Sequence, residues 1–481
     1  MVNCVIPGER NKPSLCYSTK ASSFLNCVSE VLKVRAKPWT APFSVNALHG
    51  SNILGRLVFC ALITAMTLCL LASCTSNGEN KNESPAVNVE GRGTIYAVDG
   101  TVLAQTSNAT GKSAVRSYPL EAAASSIIGS CYTQDSPDGI EQVYAADLEA
   151  GCDVALTIDP TIQQAAYDAL GDNIGAIVVM DPESGALLAM ASSPSYDPME
   201  QKVADTTQLE QRTTELHIPG STMKTIVLSA ALESGNFTLQ NQFDAPAEIS
   251  FPGGSVINYN ATQYPTQSLL ESYAKSINTV FAQLTLMVGF DRVYDMAKHF
   301  GFERELMSDF PLRASLICNA ESMDARMQAW TGAGQALYQG NGELYGPVMS
   351  PVHGAAIASV FVNGGKLVQP YLVESVNGQP KADAHPIVLD EAFLSENTIE
   401  ESKIAMRAVV TEGTGSNAQV EGVDVGGKTG TAETITSFDD AWFVGFAQAY
   451  GKSYSIAVLL EGKASSDAAR VSSQLIRTLF Y

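Results

Sequence analysis

Basic side chains are scarce in this sequence. Against 50 Asp and Glu there are only 29 Lys and Arg, a formal net charge of −21, and a polyanion such as nucleic acid would be repelled rather than bound. Metal-ligand patterns are missing as well. No Cys-x-x-Cys pair occurs and no histidine stands at ligand spacing from a cysteine, so no metal site is read from the cysteines. Of nine cysteines only Cys74, Cys131, Cys152 and Cys318 lie past residue 70. A Cys131–Cys152 bridge stays open beside the default of unpaired buried thiols. There is also no internal repeat, which sets solenoids aside. What the chain does have is 481 residues, 45% of them hydrophobic, enough for two or three domains with a sizeable core.

The shortage of basic residues is uneven. Residues 1–56 carry seven Lys or Arg and two Glu, leaving 22 basic and 48 acidic side chains in the other 425 residues. Basic before and acidic after is the orientation signal of an exported chain. Between the two lies LVFCALITAMTLCLLASC, residues 57–74, uncharged and preceded by Arg56. Its length falls between a membrane-spanning helix and the apolar core of a signal peptide. It ends on Leu71, Ala72, Ser73 and Cys74, which resembles a bacterial lipobox, with Cys74 the lipidated residue. Lipid anchor and uncleaved helix remain alternatives; with either, the chain sits at the cell membrane and residues 75–481 are extracytoplasmic. Residues 1–56 read as an unstructured basic segment, and 75–92 as a Ser/Asn/Glu/Pro linker too polar to pack.

Folded sequence then begins. GTIYAVDGTVLAQT, residues 93–106, predicts a hairpin about Asp99-Gly100, and weakly patterned sequence to 153 makes a small domain. From 154 a larger domain opens, with a helix in TIQQAAYDALG and two strands in GAIVVMDPESGALLAMAS. Residues 222–234 are apolar nearly all round and stop at Gly235, the pattern of a helix in the middle of a domain. Further helices follow, then the strands VGGKTGTAETI, AWFVGFAQAYG and SYSIAVLLEG, and a final amphipathic helix. The fold class is α+β, helices around a mostly antiparallel sheet.

The chemistry is concentrated at PGSTMK, residues 219–224. Ser221 and Lys224, three apart at a helix start, share one face. A serine hydroxyl becomes a nucleophile when a neutral amine takes its proton, and burial beside a second cation is what neutralises a lysine. That second cation is sought in Gly426-Gly427-Lys428-Thr429-Gly430-Thr431, a strand whose glycines permit a ligand to approach the backbone. Singly such motifs are weak: Ser272-Tyr273-Ala274-Lys275 is another Ser-x-x-Lys, and Ser44, Ser234, Ser375 and Ser395 each begin a Ser-x-Asn. The ordered set is specific: Ser221-x-x-Lys224, then Ser276-Ile277-Asn278 between two helices, then a single Lys428-Thr429-Gly430 on a strand.

This set, with LLESYAKSINTVFAQL, VVTEGTGSNA, GGKTGTAETITSFDDAWFVGFA and segments from GTIYAVDGTVLA onward, resembles the class B penicillin-binding proteins, monofunctional peptidoglycan D,D-transpeptidases. The resemblance covers nearly everything after about residue 91. It implies a penicillin-binding transpeptidase domain at 154–481, of the serine β-lactamase-like type, on a dimerisation-like pedestal at 93–153. It implies that Ser221 attacks the stem peptide's penultimate D-alanine carbonyl while Lys224 takes its proton, that Ser276 and Lys428 serve the leaving D-alanine, and that Asn278 orients Lys224. Lys428 and Thr429 would receive the terminal carboxylate, the strand through Gly430 would pair with the peptide, and the amides of Ser221 and Thr431 would form the oxyanion hole. Partners implied are D-Ala-D-Ala stem peptides, β-lactams and a polytopic glycan polymerase, since no glycosyltransferase segment is recognised, and the resemblance implies neither a metal nor an organic cofactor.

Two readings from other classes stay open: a D,D-carboxypeptidase or β-lactamase-like hydrolase, for which no water-activating carboxylate motif is found, and a non-catalytic penicillin-binding sensor or scaffold. Several residues take bland readings. His217 is expected on a surface loop, Trp442 and Phe443 in the core, and Asp439-Asp440 in a solvated turn, while Asn258 and Gln335 fall in segments that border the cleft in the relatives the sequence resembles. GTIYAVDG lacks the Asp-Arg pair common in relatives and 138–157 is short, which leaves the pedestal's partner contacts open.

Overall fold

The computed structural model describes residues 89–481 apart from 108–109, 134, 319–320, 322, 339–343, 383, 385 and 433–438. The expected basic segment, the anchor at 57–74 with Cys74, and most of the linker lie outside the described residues. Among the described residues no helix is long and apolar enough to cross a membrane.

The centre is a five-stranded antiparallel sheet in the order Asp424–Ala432, Asp440–Ala449, Lys452–Glu461, Gly175–Met180, Leu187–Ser193. Side chains on a strand alternate between faces, and here both faces are covered, so the three inner strands are mainly apolar, while the outer strand Asp424–Ala432 carries Lys428, Thr429 and Thr431. Ile177 and Val179 face the helices Pro160–Leu170 and Ser465–Phe480, meeting Leu170, Leu475 and Ile476. Ala176, Val178 and Met180 face a second layer that includes Ile226, Phe281 and Val352. Local signals delimit the helices. Asp159 caps the first by accepting from the backbone N–H groups of Thr161 and Ile162, with Pro160 in its first position, where a missing N–H costs nothing.

The helix expected over 222–234 runs Lys224–Glu233, with all but Glu233 of its ten residues buried. It is entered through a 3-10 turn, Gly220–Met223, and this difference matters. In 3-10 geometry residues three apart eclipse, which brings Ser221 and Lys224 closer together than an α-helical turn would.

The predicted hairpin is present: Ile95 pairs with Ala104, and Gly100 at φ +83° makes the turn. Its sheet is not built from residues 93–153 alone. Ile95–Tyr96 runs parallel to Val154–Leu156, and that strand pairs on its other side with Val373–Val376, so the boundary drawn at 153/154 passes through a sheet to which a later segment contributes.

Beneath this sheet is a charge cluster that the weak patterning gave no sign of. The fully buried Glu141 carboxylate accepts from Arg92 Nε (2.8 Å), from Arg116 Nε and from Tyr118 Oη (3.2 Å), and Arg92 also donates to the Glu141 carbonyl (2.8 Å). Removing one member of a buried ion group strands the others. Glu141→Ala should therefore cost about 3–5 kcal/mol in urea unfolding; a loss under about 1 kcal/mol would show that the cluster holds nothing. The thiols of Cys131 and Cys152 are free, so no bridge joins them. Cys131 Sγ instead lies 3.3 Å from Tyr118 Oη, an oxygen to which the Cys131 backbone N–H donates at 3.0 Å.

Candidate active site

Three separated segments meet at the open edge of the central sheet. The first is the 3-10 turn bearing Ser221. Gly220 has φ +55°, and a Cβ there would fall 2.6 Å from the Thr431 carbonyl oxygen and 2.8 Å from the Thr431 nitrogen. On the turn's other side Gly334 has φ +94°, and a Cβ on it would overlap the Gly220 oxygen at 1.6 Å. Two positions that require glycine thus allow the Ser221 backbone to wedge between the outer strand and the end of the Ala325–Ala333 helix. The turn is further fixed by Trp442, whose Nε1 donates to the Ile218 carbonyl at 3.0 Å.

The second segment joins the helices Leu269–Ala274 and Asn278–Val288. Ser276 sits there in the left-handed region at φ +59°, a conformation a non-glycine residue holds at a cost and one that clusters at active sites. The third is the outer strand itself, carrying Lys428, Thr429, Gly430 and Thr431.

Lys224 joins the first two. Its Nζ lies 2.6 Å from Ser221 Oγ, 2.7 Å from Asn278 Oδ1, and 3.4 Å from both Ser276 Oγ and the Ala333 carbonyl. It also stands 5.8 Å from the centre of the Phe281 ring. The side chain is fully buried. Burial, and secondarily the charge of Lys428, push the amine well below the usual lysine range. Asn278 is held in turn by its Nδ2, which donates to the Ile257 carbonyl at 2.9 Å, so its Oδ1 must face the amine.

Lys428 is fully buried as well, its Nζ donating to the Thr429 carbonyl at 3.0 Å and lying 5.6 Å from the centre of the Tyr273 ring. Burial brings its pKa down to about 7. With no metal-binding group of three or more His, Cys, Asp or Glu among the described residues, the arrangement is one of hydroxyls, amines and backbone amides.

Of the residues given bland readings, Trp442 and Phe443 are fully buried. Asn258 is a buried clamp: it donates to the Pro246 and Thr262 carbonyls and accepts from the Thr279 N–H, all at 2.9 Å. Gln335 does reach the cleft edge, where its Nε2 donates to the Thr431 carbonyl at 3.0 Å. Two expectations need correction. Asp440 is not in a solvated turn but buried at the start of its strand, opposite Ala432. His217 is not a surface residue either; its side chain is 13% exposed, its Nδ1 lies 3.1 Å from Asp440 Oδ2, and its backbone pairs with Met349. A hydrogen-bonding partner over two hundred residues away gives no local signal. Sequence reasoning also passed over Gly334, for which a glycine followed by the polar Gln335 was the available sign.

A serine hydroxyl beside a buried amine, at the edge of an antiparallel sheet whose outer strand carries a second buried amine, defines a serine acyl-transfer site. Comparison with known proteins narrows this. Residues 175–481 match the penicillin-binding protein transpeptidase domain, and the chain belongs to that family. It is 33% identical over 353 residues to the peptidoglycan D,D-transpeptidase PbpA of Mycobacterium tuberculosis, covering 65% of this chain and 68% of that one. Among solved structures, the D,D-transpeptidase domain of a peptidoglycan glycosyltransferase from Eggerthella lenta superposes with TM-score 0.75 at 34% identity, covering 81% of this chain and 97% of that one. Penicillin-binding protein A of M. tuberculosis, as its imipenem acyl-enzyme, superposes with TM-score 0.71 at 28% identity, covering 81% and 98%.

Proposed function

We infer that this chain is a serine-type peptidoglycan D,D-transpeptidase that crosslinks stem peptides and is acylated by β-lactams. The observation that carries the reading is the buried Lys224 amine 2.6 Å from Ser221 Oγ and 2.7 Å from Asn278 Oδ1. An amine neutral at working pH has one lone pair and two N–H bonds. With Asn278 Oδ1 accepting one of those protons, the lone pair is free to take the proton that Ser221 donates as its oxygen attacks the carbonyl of the penultimate D-alanine. The oxyanion forms between the amides of Ser221 and Thr431, whose backbones the two glycines allow to meet. Ser276, within 3.4 Å of the same amine, relays a proton to the nitrogen of the departing D-alanine, and Lys428 aids that transfer. Lys428 and Thr429 receive the donor's terminal carboxylate, and the strand through Gly430 extends its ladder to the peptide backbone. An amine of a second stem then attacks the acyl-enzyme, releasing Ser221 and forming the crosslink.

The layout of the rest of the chain supports a fixed station at the membrane. Residues 57–74 anchor it, by a lipid on Cys74 or as a helix, and detergent partitioning of Cys74→Ala separates the two. Residues 93–153, whose sheet is completed by Val154–Leu156 and Val373–Val376, form the pedestal of the catalytic domain at 154–481, and a polytopic glycan polymerase supplies the strands to be joined.

Transfer is separated from hydrolysis by incubating the protein with a D-Ala-D-Ala stem peptide and an acceptor amine. Crosslinked dimer should exceed free tetrapeptide acid. Free acid alone would make this a carboxypeptidase, and no turnover with intact penicillin labelling would make it a sensor or scaffold.

A further inference from the structure

One side chain touching the Lys-Thr-Gly strand has no place in the mechanism above. Thr414 lies in the turn after the Glu396–Thr411 helix, and its hydroxyl is hydrogen-bonded to the hydroxyl of Thr429. The turn is held from two sides. Thr414 N donates to the Ala274 carbonyl at 3.1 Å and Gly415 N to the Val409 carbonyl at 2.9 Å. A Cβ on Gly413 would fall 2.3 Å from that same Ala274 oxygen. Ala274 ends the helix that leads to Ser276, so the turn is braced against the segment that carries the second catalytic serine.

A hydroxyl has one proton to give, and for two hydroxyls in contact the direction of the bond decides what each can do next. Thr414 Oγ1 is 3.5 Å from the Ala274 carbonyl, at the outer limit of a hydrogen bond, and that carbonyl is already engaged by the Thr414 N–H. Thr429 is therefore the better acceptor for the Thr414 proton. Thr429 is almost fully buried, and in the proposed mechanism its hydroxyl receives the donor's terminal carboxylate. Once its oxygen accepts from Thr414, the Thr429 proton has no use within the pair and is free for an acceptor in the cleft. Were the direction reversed, Thr429 would offer that acceptor only lone pairs, and an anion would be repelled.

We propose that Thr414 is a positioning residue for carboxylate recognition: by donating its hydroxyl proton to Thr429, it keeps the Thr429 proton aimed at the carboxylate of the incoming donor peptide or β-lactam. This rests on the transpeptidase reading above and deepens it. The consequence is a preference for ligands bearing an anion at that position, set by a residue outside all three motifs.

The test uses the full-length protein and two probes, benzylpenicillin and its methyl ester, each competing with fluorescent penicillin so that second-order acylation constants are read. Thr414→Val should slow acylation by benzylpenicillin about tenfold or more, the order expected for a hydrogen bond to a charged group, and change the methyl ester by less than about twofold. Thr414→Ser should restore the acid's rate. In a Thr429→Val background, Thr414→Val should have no further effect on the acid, since the interacting pair is already broken. Equal slowing of acid and ester would assign Thr414 to holding up the turn and overturn the proposal, as would an unchanged rate with the acid. If Thr414→Val does not fold, the same acid-to-ester comparison on Thr414→Ala decides. Labelling that survives Ser221→Ala would instead overturn the parent reading, which keeps the two failures apart.

Discussion

Ser221→Ala should abolish covalent labelling by fluorescent penicillin, while Ser272→Ala should label as the parent does. Both serines begin a Ser-x-x-Lys, so the pair asks whether structure or motif decides. The structure separates them. Ser221 faces an amine at 2.6 Å; Ser272 is fully buried with an unbonded hydroxyl, and its Lys275 is turned away to donate to Gln267 Oε1 at 2.6 Å. Loss of a nucleophile that works as a unit with its base removes roughly a million-fold of rate, so no band should remain on any practical exposure. Removing a hydroxyl that bonds to nothing costs the fold little. A labelled Ser221→Ala protein would end the assignment of the nucleophile.

The second large effect is expected at Lys428, and it has a pH signature. Second-order acylation constants report the ionisations of the free enzyme. In the proposed mechanism Lys224 acts without its proton, so the rate should climb as pH rises through its depressed pKa. Lys428 attracts the ligand carboxylate while charged, and burial has brought its pKa to about 7, so the rate should decline above about pH 7. Lys428→Ala should lower the maximum by about 100-fold or more and remove the declining limb. It should also move the rising limb to higher pH, because the charge of Lys428 is one of the two causes holding Lys224 down. The two lysines titrate as a coupled pair, which is why removing one displaces the limb belonging to the other. An unshifted rising limb would mean that the two amines do not sense each other.

Much of the site was legible because its chemistry is short-range in sequence. Ser221 and Lys224 are three residues apart, Ser276 and Asn278 two, and Lys428 to Thr431 consecutive; such spacings fix a shared face or strand without knowledge of the rest. The helix at 224–233 could be read as central from its apolar surface, and the strands at 424–461 from their period. What could not be read involves partners far along the chain. Asp440 resembled a solvated turn because nothing near it in the sequence reveals its contact with His217, more than two hundred residues earlier. Arg92 fell at the end of a linker read as too polar to pack, and Arg116 and Glu141 in a weakly patterned stretch, yet all three are buried; a buried ion cluster has no periodicity to reveal it. Thr414 resembled any threonine before a glycine.

The sequence by itself determined which groups are present, in what order, and on which kind of element each stands, because hydrophobic period, caps and turn residues act over a few positions. Only the tertiary structure decided that two lysines over two hundred residues apart lie close enough for one to lower the other's affinity for a proton. It also decided that Gly220 and Gly334 are places where nothing larger fits. The physical reason is the same in both cases: burial and electrostatic proximity belong to the packed chain, and no stretch of sequence carries them alone.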